Sequence, residues 1–273
     1  MSRFLTDTSV TRIDEGRYRA KVDRGWWIVV GPNGGYVAAL MARAITAEIR
    51  HTEPDEHAKR LRSLTLHYLR PPAVGEVEID VVVERRGRRV SAVTARMSQD
   101  DALLVVAVAA VGAPREAYAF REIDPPPAPT PEELPWVEPP DEDAAVVPIN
   151  ARYQILPCVG SASAQQPPAD GPLPAVSGGW LRFGEPTPID EVALTAITDA
   201  WFPPVFHRAN EPLAVPTVDL TIHIHQLPTD PLDWVLVRFA SPMAHDGYMV
   251  EDGEIWDRGG NLLAVCRQLA IIL

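Results

Sequence analysis

The fold is decided by the stretch Pro32-Asn33-Gly34-Gly35-Tyr36-Val37-Ala38-Ala39-Leu40-Met41-Ala42. Pro-Asn-Gly-Gly is a turn signal. Beyond it Val37, Leu40, Met41, Ala44 and Ile45 recur at helical spacing, which predicts a helix over 36–49. Residues 36–42 carry no charge, and a helix apolar all round belongs inside a protein, not on its surface. Working outward, 61–70, 75–86, 88–98 and 103–112 read as strands that could bury it, preceded by one or two strands over 8–22. Val77, Ile79, Val81 and Val83 alternate with Glu78, Asp80 and Glu84, as a half-wet antiparallel strand does.

The same order returns downstream. Residues 152–159 and 178–183 read as strands, and Thr187-Pro188-Ile189-Asp190 reads as a helix start with Thr187 as N-cap, the helix running to about Trp201. Strands follow at 215–226, 234–241, 247–257 and 262–273. Leu64-Thr65-Leu66-His67 matches Leu220-Thr221-Ile222-His223 at an offset of 156, and Asp101-Ala102-Leu103-Leu104 matches Gly260-Asn261-Leu262-Leu263 at an offset of 159. With the shared order of elements, these matches indicate an internal duplication. One apolar helix wrapped by long antiparallel strands is the economy of a hot-dog fold. The expected class is therefore α+β, a double hot dog: a first unit over 1–113, a linker over 114–150 and a second unit over 151–273. The linker expectation rests on proline, since 17 of the 28 prolines fall within 114–188. Residues 124–148 are also acidic, so they should run over the surface and add little to either core.

Composition narrows the function. The chain has 273 residues, 46% hydrophobic and 23% charged, with a net charge of −12. That charge argues against a general nucleic-acid partner. No apolar run is long enough for a spanning helix, so no membrane partner is expected. The first ten residues lack a leader pattern, and the two cysteines, Cys158 and Cys266, cannot form a disulfide framework; a cytoplasmic location is the expectation. Residues 59–96 hold nine basic and four acidic side chains, a local net of +5. That block is either a solvated sheet face or a site for an anion. His223 and His225 could bind a metal, but no third ligand at a fixed spacing supports this, and no metal is expected. Ser2, Ser161 and Ser163 lie in no nucleophile elbow.

Several segments together resemble the acyl-CoA thioesterase II (TesB-like) family. They are Pro32-Asn33-Gly34-Gly35-Tyr36-Val37, the strand 63–72 reading SLTLHYLRPP, the strand-turn-strand 85–98, Trp180-Leu181-Arg182, Thr198-Asp199, Val215-Pro216-Thr217-Val218-Asp219 and the last strand with its Gln268. The resemblance implies a hydrolase that converts acyl-CoA to free acid and CoA, with no cofactor, acting in lipid metabolism. It implies that Asp199, Thr217 and Gln268 hold a water, and that the Gly34 or Gly35 N–H, beside Asn33, polarises the thioester carbonyl. Asn33 stands where many relatives carry an aromatic or a histidine, and Cys266-Arg267 replaces a Ser-Thr type sequence before the glutamine.

The residues themselves can be weighed against that expectation. Asp199 would share the apolar stripe of its helix with Val192 and Ala196, where a carboxylate is costly unless paired or used. Gln268 sits among Cys266, Ala270 and Ile272 on its strand face, and a buried amide needs partners. Thr217 raises a conflict, since strand parity groups it with Asp219, Thr221 and His223, pointing away from the helix. By the duplication, Gln268 corresponds to Ala109, Thr217 to Leu61 and Asp199 to about Ala44, none of which can do the chemistry. One site per chain is expected. Arg60, Arg62, Arg86, Arg88 and Arg89 are candidates for the phosphates of CoA. Exposed antiparallel edges, assigned to 103–112 and 262–273, suggest association into a homo-oligomer, a dimer or a higher even number. Two other readings stay open: an enoyl-CoA hydratase or dehydratase using Asp219 and His223, and a non-catalytic acyl-binding scaffold.

Overall fold

In the computed structural model, residues 1–53, 59–136, 147–160, 173–209 and 213–273 are described. The first half opens with a short helix, α1 (Arg3–Asp7), and two strands, β1 (Val10–Asp14) and β2 (Arg17–Val22). The long helix α2 (Gly34–Thr52) follows, then β3 (Arg60–Tyr68), β4 (Gly75–Arg85), β5 (Val90–Gln99) and β6 (Ala102–Gly112). The second half has β7 (Tyr153–Gly160), β8 (Val176–Phe183), a short helix α3 (Glu191–Ile197), and β9 (Thr217–Ile224), β10 (Val235–His245), β11 (Tyr248–Asp257) and β12 (Leu262–Ile271).

All twelve strands form one antiparallel sheet in the order β1-β2-β4-β5-β6-β3-β9-β12-β11-β10-β8-β7. The two halves meet where β3 pairs with β9. There Leu64 lies opposite Ile222, Thr65 opposite Thr221 and Leu66 opposite Leu220. The Oγ1 atoms of Thr65 and Thr221 stand 3.1 Å apart. These are the residues related by the offset of 156, so the junction is a near-twofold axis. α2 lies against β1, β3, β4 and β5 of the first half, α3 lies against β9 of the second, and the two helices pack on each other. Val37, Leu40, Met41, Ala44 and Ile45 are all buried, which is what the uncharged stretch demanded. Gly35 permits the helix contact: a Cβ there would come within 2.5 Å of the Ala196 carbonyl.

Each half carries a β-bulge at the matching position. On β3 the register slips between Leu61 and Ser63, and on β9 it slips at Val218, between Thr217 and Asp219. One extra residue turns the side chains beyond it to the other face.

Several expectations need correction. α3 ends at Ile197, not near Trp201. Its N-cap is Asp190, whose carboxylate accepts from the N–H groups of Val192 and Ala193 at 3.0 and 2.8 Å, while the Thr187 hydroxyl donates to the Glu185 carbonyl. A carboxylate two residues into the chain's turn satisfies two orphan donors, which Thr187 is too far back to reach. The sheet edges are β1 and β7; β6 and β12 are interior and paired on both sides. The linker is not idle. Ala128 and Leu134 pack against the outer cluster of Trp180, Trp234 and Trp256, the Pro129 carbonyl accepts from the Trp180 indole at 2.8 Å, and Glu132 pairs with Arg258. Proline-rich chain lacks donors, but its carbonyls still accept and its apolar side chains still pack. Residues 137–146 of the linker, with Ser161 and Ser163, lie outside the described residues. No described helix is long and apolar enough to cross a membrane.

Candidate active site

The start of α2 and the end of α3 meet at one point. Asn33 caps α2 by accepting from the Tyr36 N–H at 2.9 Å. Its amide nitrogen donates to the Asp199 backbone carbonyl at 2.7 Å and to Asp199 Oδ2 at 2.9 Å. The Gly35 N–H also donates to Asp199 Oδ2, at 2.9 Å. The carboxylate therefore sits at the positive end of a 19-residue helix. Asp199 reaches it because α3 stops at Ile197 and the chain tightens, with the Asp199 N–H donating to the Ala196 carbonyl.

From the sheet side, Gln268 on β12 completes the group. Its Nε2 donates to Asp199 Oδ1 at 3.4 Å and to Glu251 Oε1 on β11 at 2.6 Å. Its Oε1 accepts from Thr217 Oγ1 at 2.8 Å. Thr217 reaches this face because the bulge at Val218 reverses its parity. Parity counted through an unbroken strand pointed it the wrong way. Tyr68, at the end of β3, closes the first-half side by donating its hydroxyl to the Gly34 carbonyl at 2.9 Å. Cys266 is buried and directs its thiol to the Thr198 carbonyl at 3.3 Å, and burial first, then the carboxylates of Glu251 and Asp199, raise its pKa. It is not poised as a nucleophile.

The site's electrostatics set two carboxyl groups apart from ordinary ones. Asp199 keeps some surface open, yet protein atoms crowd its carboxyl group, and that burial pushes its pKa up to about 6 against the opposing pull of the Gly35 N–H, Gln268 and Asn33. Glu251 is 3% exposed, and burial pushes it further, to about 8, with Asp199 adding to the rise. A carboxylate near neutrality, beside an amide and a hydroxyl, can take a proton from water.

The structure thus brings together Asp199, Thr217, Gln268, Asn33, Gly34 and Gly35. It does not bring the arginines to them. Arg86 donates to the Thr52 carbonyl at the far end of α2, and eighteen residues of helix place that end about 27 Å from Gly34. Arg88 and Arg89 lie in the adjoining turn, Arg60 opens β3 beside Gly112, and Arg62 is held by the Gly112 and His225 carbonyls. His223 is exposed, and among the described residues no three His, Cys, Asp or Glu side chains form a metal-binding group. Sequence reasoning missed Glu251. The signal was there: β11 alternates Met249, Glu251, Gly253 and Ile255 on its buried face, so Glu251 takes an apolar position.

The comparisons bear on the two halves and their fold. The family model for the acyl-CoA thioesterase N-terminal domain matches residues 23–112, and that for the acyl-CoA thioesterase C-terminal domain matches residues 124–272. Among solved structures, a conserved hot-dog protein of unknown function from Alicyclobacillus acidocaldarius is 26% identical, with a TM-score of 0.85 over 100% of this chain and 98% of that one. A proposed thioesterase II from Thermobifida fusca is 25% identical, with a TM-score of 0.83 over the same shares of the two chains. Acyl-CoA thioesterase II TesB2 from Mycobacterium marinum shares the fold at 18% identity, with a TM-score of 0.75 over 99% and 98%. No curated protein matches the chain in sequence. Two matching domain models that together span most of the chain, over a hot-dog architecture, place this protein in the acyl-CoA thioesterase family, as a thioester hydrolase.

Proposed function

We propose that the protein is a double hot-dog enzyme that hydrolyses acyl-CoA to free acid and CoA at a single site built from Asp199, Thr217 and Gln268. The observation that carries this is a contrast within one sheet. The register makes Leu61, Val93 and Ala109 of the first half equivalent to Thr217, Glu251 and Gln268 of the second. The first three are wholly apolar and buried. Burying a hydroxyl, a carboxyl and an amide in their place is costly, and chemistry is the reason to keep them.

In this reading, a water lies against Asp199, oriented by Thr217 and Gln268. Asp199 takes its proton as the oxygen attacks the thioester carbon. The carbon–oxygen bond forms as the carbonyl π pair moves onto its oxygen; when that pair returns, the carbon–sulfur bond breaks, and the CoA sulfur takes from Asp199 the proton drawn from water and leaves as the thiol. The Gly35 N–H is engaged by Asp199 before reaction. Once Asp199 is protonated, that charge-assisted bond weakens, and the N–H becomes free to meet the oxyanion at the helix start, with Gly34 beside it. Proton transfer and oxyanion stabilisation would then be coupled.

The test is a panel of acyl-CoAs from short to long, read as free thiol, beside crotonyl-CoA hydration, read as loss of conjugated absorbance. Thiol release with no hydration is expected. Hydration without thiol release would favour the hydratase reading, although Asp219 and His223 lie on the face of β9 away from the cluster. Neither activity would favour a scaffold.

A further inference from the structure

Glu251 takes no part in the steps above, yet it makes the shortest hydrogen bond in the cluster, 2.6 Å from Gln268 Nε2. It lies directly across from Gln268 in the β11–β12 register. Its Oε1 accepts that bond, and its Oε2 has no hydrogen-bond partner among the described residues. The ionisable groups around it are Asp199 across the amide, Cys266 on β12 and Asp252 next to it on β11.

A glutamine amide fits its site either way round, and its partners decide the orientation. Two acceptors face the Gln268 nitrogen, and the Thr217 hydroxyl faces its oxygen. Thr217 can serve either orientation, because a hydroxyl both donates and accepts. Asp199 holds the nitrogen end only while it is a carboxylate; once it has taken the water's proton, it can donate to a flipped amide. Glu251 differs. It exchanges no proton with the water in these steps, so the bond that its Oε1 accepts from the amide is the same before and after Asp199 is protonated.

Building on the proposed role of Asp199, Thr217 and Gln268, we propose that Glu251 is a positioning residue that locks the Gln268 amide, nitrogen toward Asp199 and oxygen toward Thr217, throughout turnover. The test compares Glu251→Val, which installs the residue found at the equivalent position 93, with Glu251→Gln, whose carbonyl can still accept the bond. Glu251→Val should lower kcat about 10–100-fold, the scale of a misoriented group, with KM within twofold and Tm not lowered. Glu251→Gln should restore kcat to within threefold of the native protein. The side-chain 15N–1H resonances of Gln268, read without substrate, should move in Glu251→Val and stay in Glu251→Gln. If Glu251→Val does not fold, Glu251→Ala carries the same comparison. Full kcat in Glu251→Val with unmoved resonances overturns the proposal, as does a parallel loss of kcat and Tm in both variants. Asp199→Asn, measured alongside, separates the two ideas. Should it keep its activity, the site reading fails, while the Gln268 resonances still decide the lock.

Discussion

The two halves of the sheet are built alike and used differently. Leu61, Val93 and Ala109 fill three positions of the first half with apolar atoms; Thr217, Glu251 and Gln268 fill the same three of the second with hydrogen-bonding groups. The helices differ to match. α2 runs 19 residues and is closed by its apolar burial, whereas α3 runs seven and delivers Asp199 at its end. In the proposed mechanism the first half lends the start of its helix, and the second half supplies the reacting groups. On that mechanism, duplication provides a scaffold twice but a site once.

Making the second half like the first is the largest test of that contrast. The triple variant Thr217→Leu, Glu251→Val, Gln268→Ala should lose thioester hydrolysis by on the order of 10³-fold or more, while holding or raising Tm, because buried polar groups are replaced by the first half's apolar set. Hydrolysis surviving in a folded triple variant would break the comparison.

The pH dependence gives a second, with opposite signs for activity and stability. A base with a pKa of about 6 must be deprotonated to work, so kcat/KM should climb with pH, inflect near pH 6 and then level. Stability should run the other way. Asp199 and Glu251 both have raised pKa values in the fold, so the folded chain keeps protons that the unfolded chain releases from about pH 4 upward. Tm should therefore fall as pH rises toward about 8. Glu251→Gln should flatten the part of that fall between pH 6 and 8. A Tm that rises over this range in the native protein would contradict the burial of both carboxyl groups.

The smallest effect is expected from the basic hairpin. Arg86→Gln with Arg88→Gln should change KM for acyl-CoA by less than about threefold, since the hairpin stands about 27 Å from Gly34 along α2. A large KM rise for acyl-CoA, with none for a short thioester lacking the nucleotide, would instead put the CoA phosphates there.

Much of the contrast is legible in the sequence. The uncharged stretch 36–42 marked a buried helix, and Leu64-Thr65-Leu66-His67 with its counterpart Leu220-Thr221-Ile222-His223 marked the halves and their offset. The position of Gln268 on an apolar strand face was visible too. The rest depended on events that periodicity does not encode. A bulge at Val218 inverts the parity of Thr217, and nothing in 215–226 announces it. α3 begins late, where Asp190 caps it, and ends at Ile197, where the Asp199 N–H turns back to the Ala196 carbonyl, so Asp199 is a helix-end residue and not one on its stripe. Glu251 was readable from alternation, but a single acid in an acidic strand does not stand out until its partner across the sheet is known. The packing of the linker on Trp180, Trp234 and Trp256 is tertiary and left no local trace.

The central claim is that Asp199 and Gln268 act on one water as a unit, and a double-mutant cycle on kcat tests it most directly. Asp199→Asn should cost on the order of 10²–10⁴-fold with KM near the native value, Gln268→Ala should cost comparably, and the double variant should be little worse than the poorer single. Losses that multiply would show that the two residues act separately, and a folded Asp199→Asn that keeps most of its kcat would place the chemistry elsewhere.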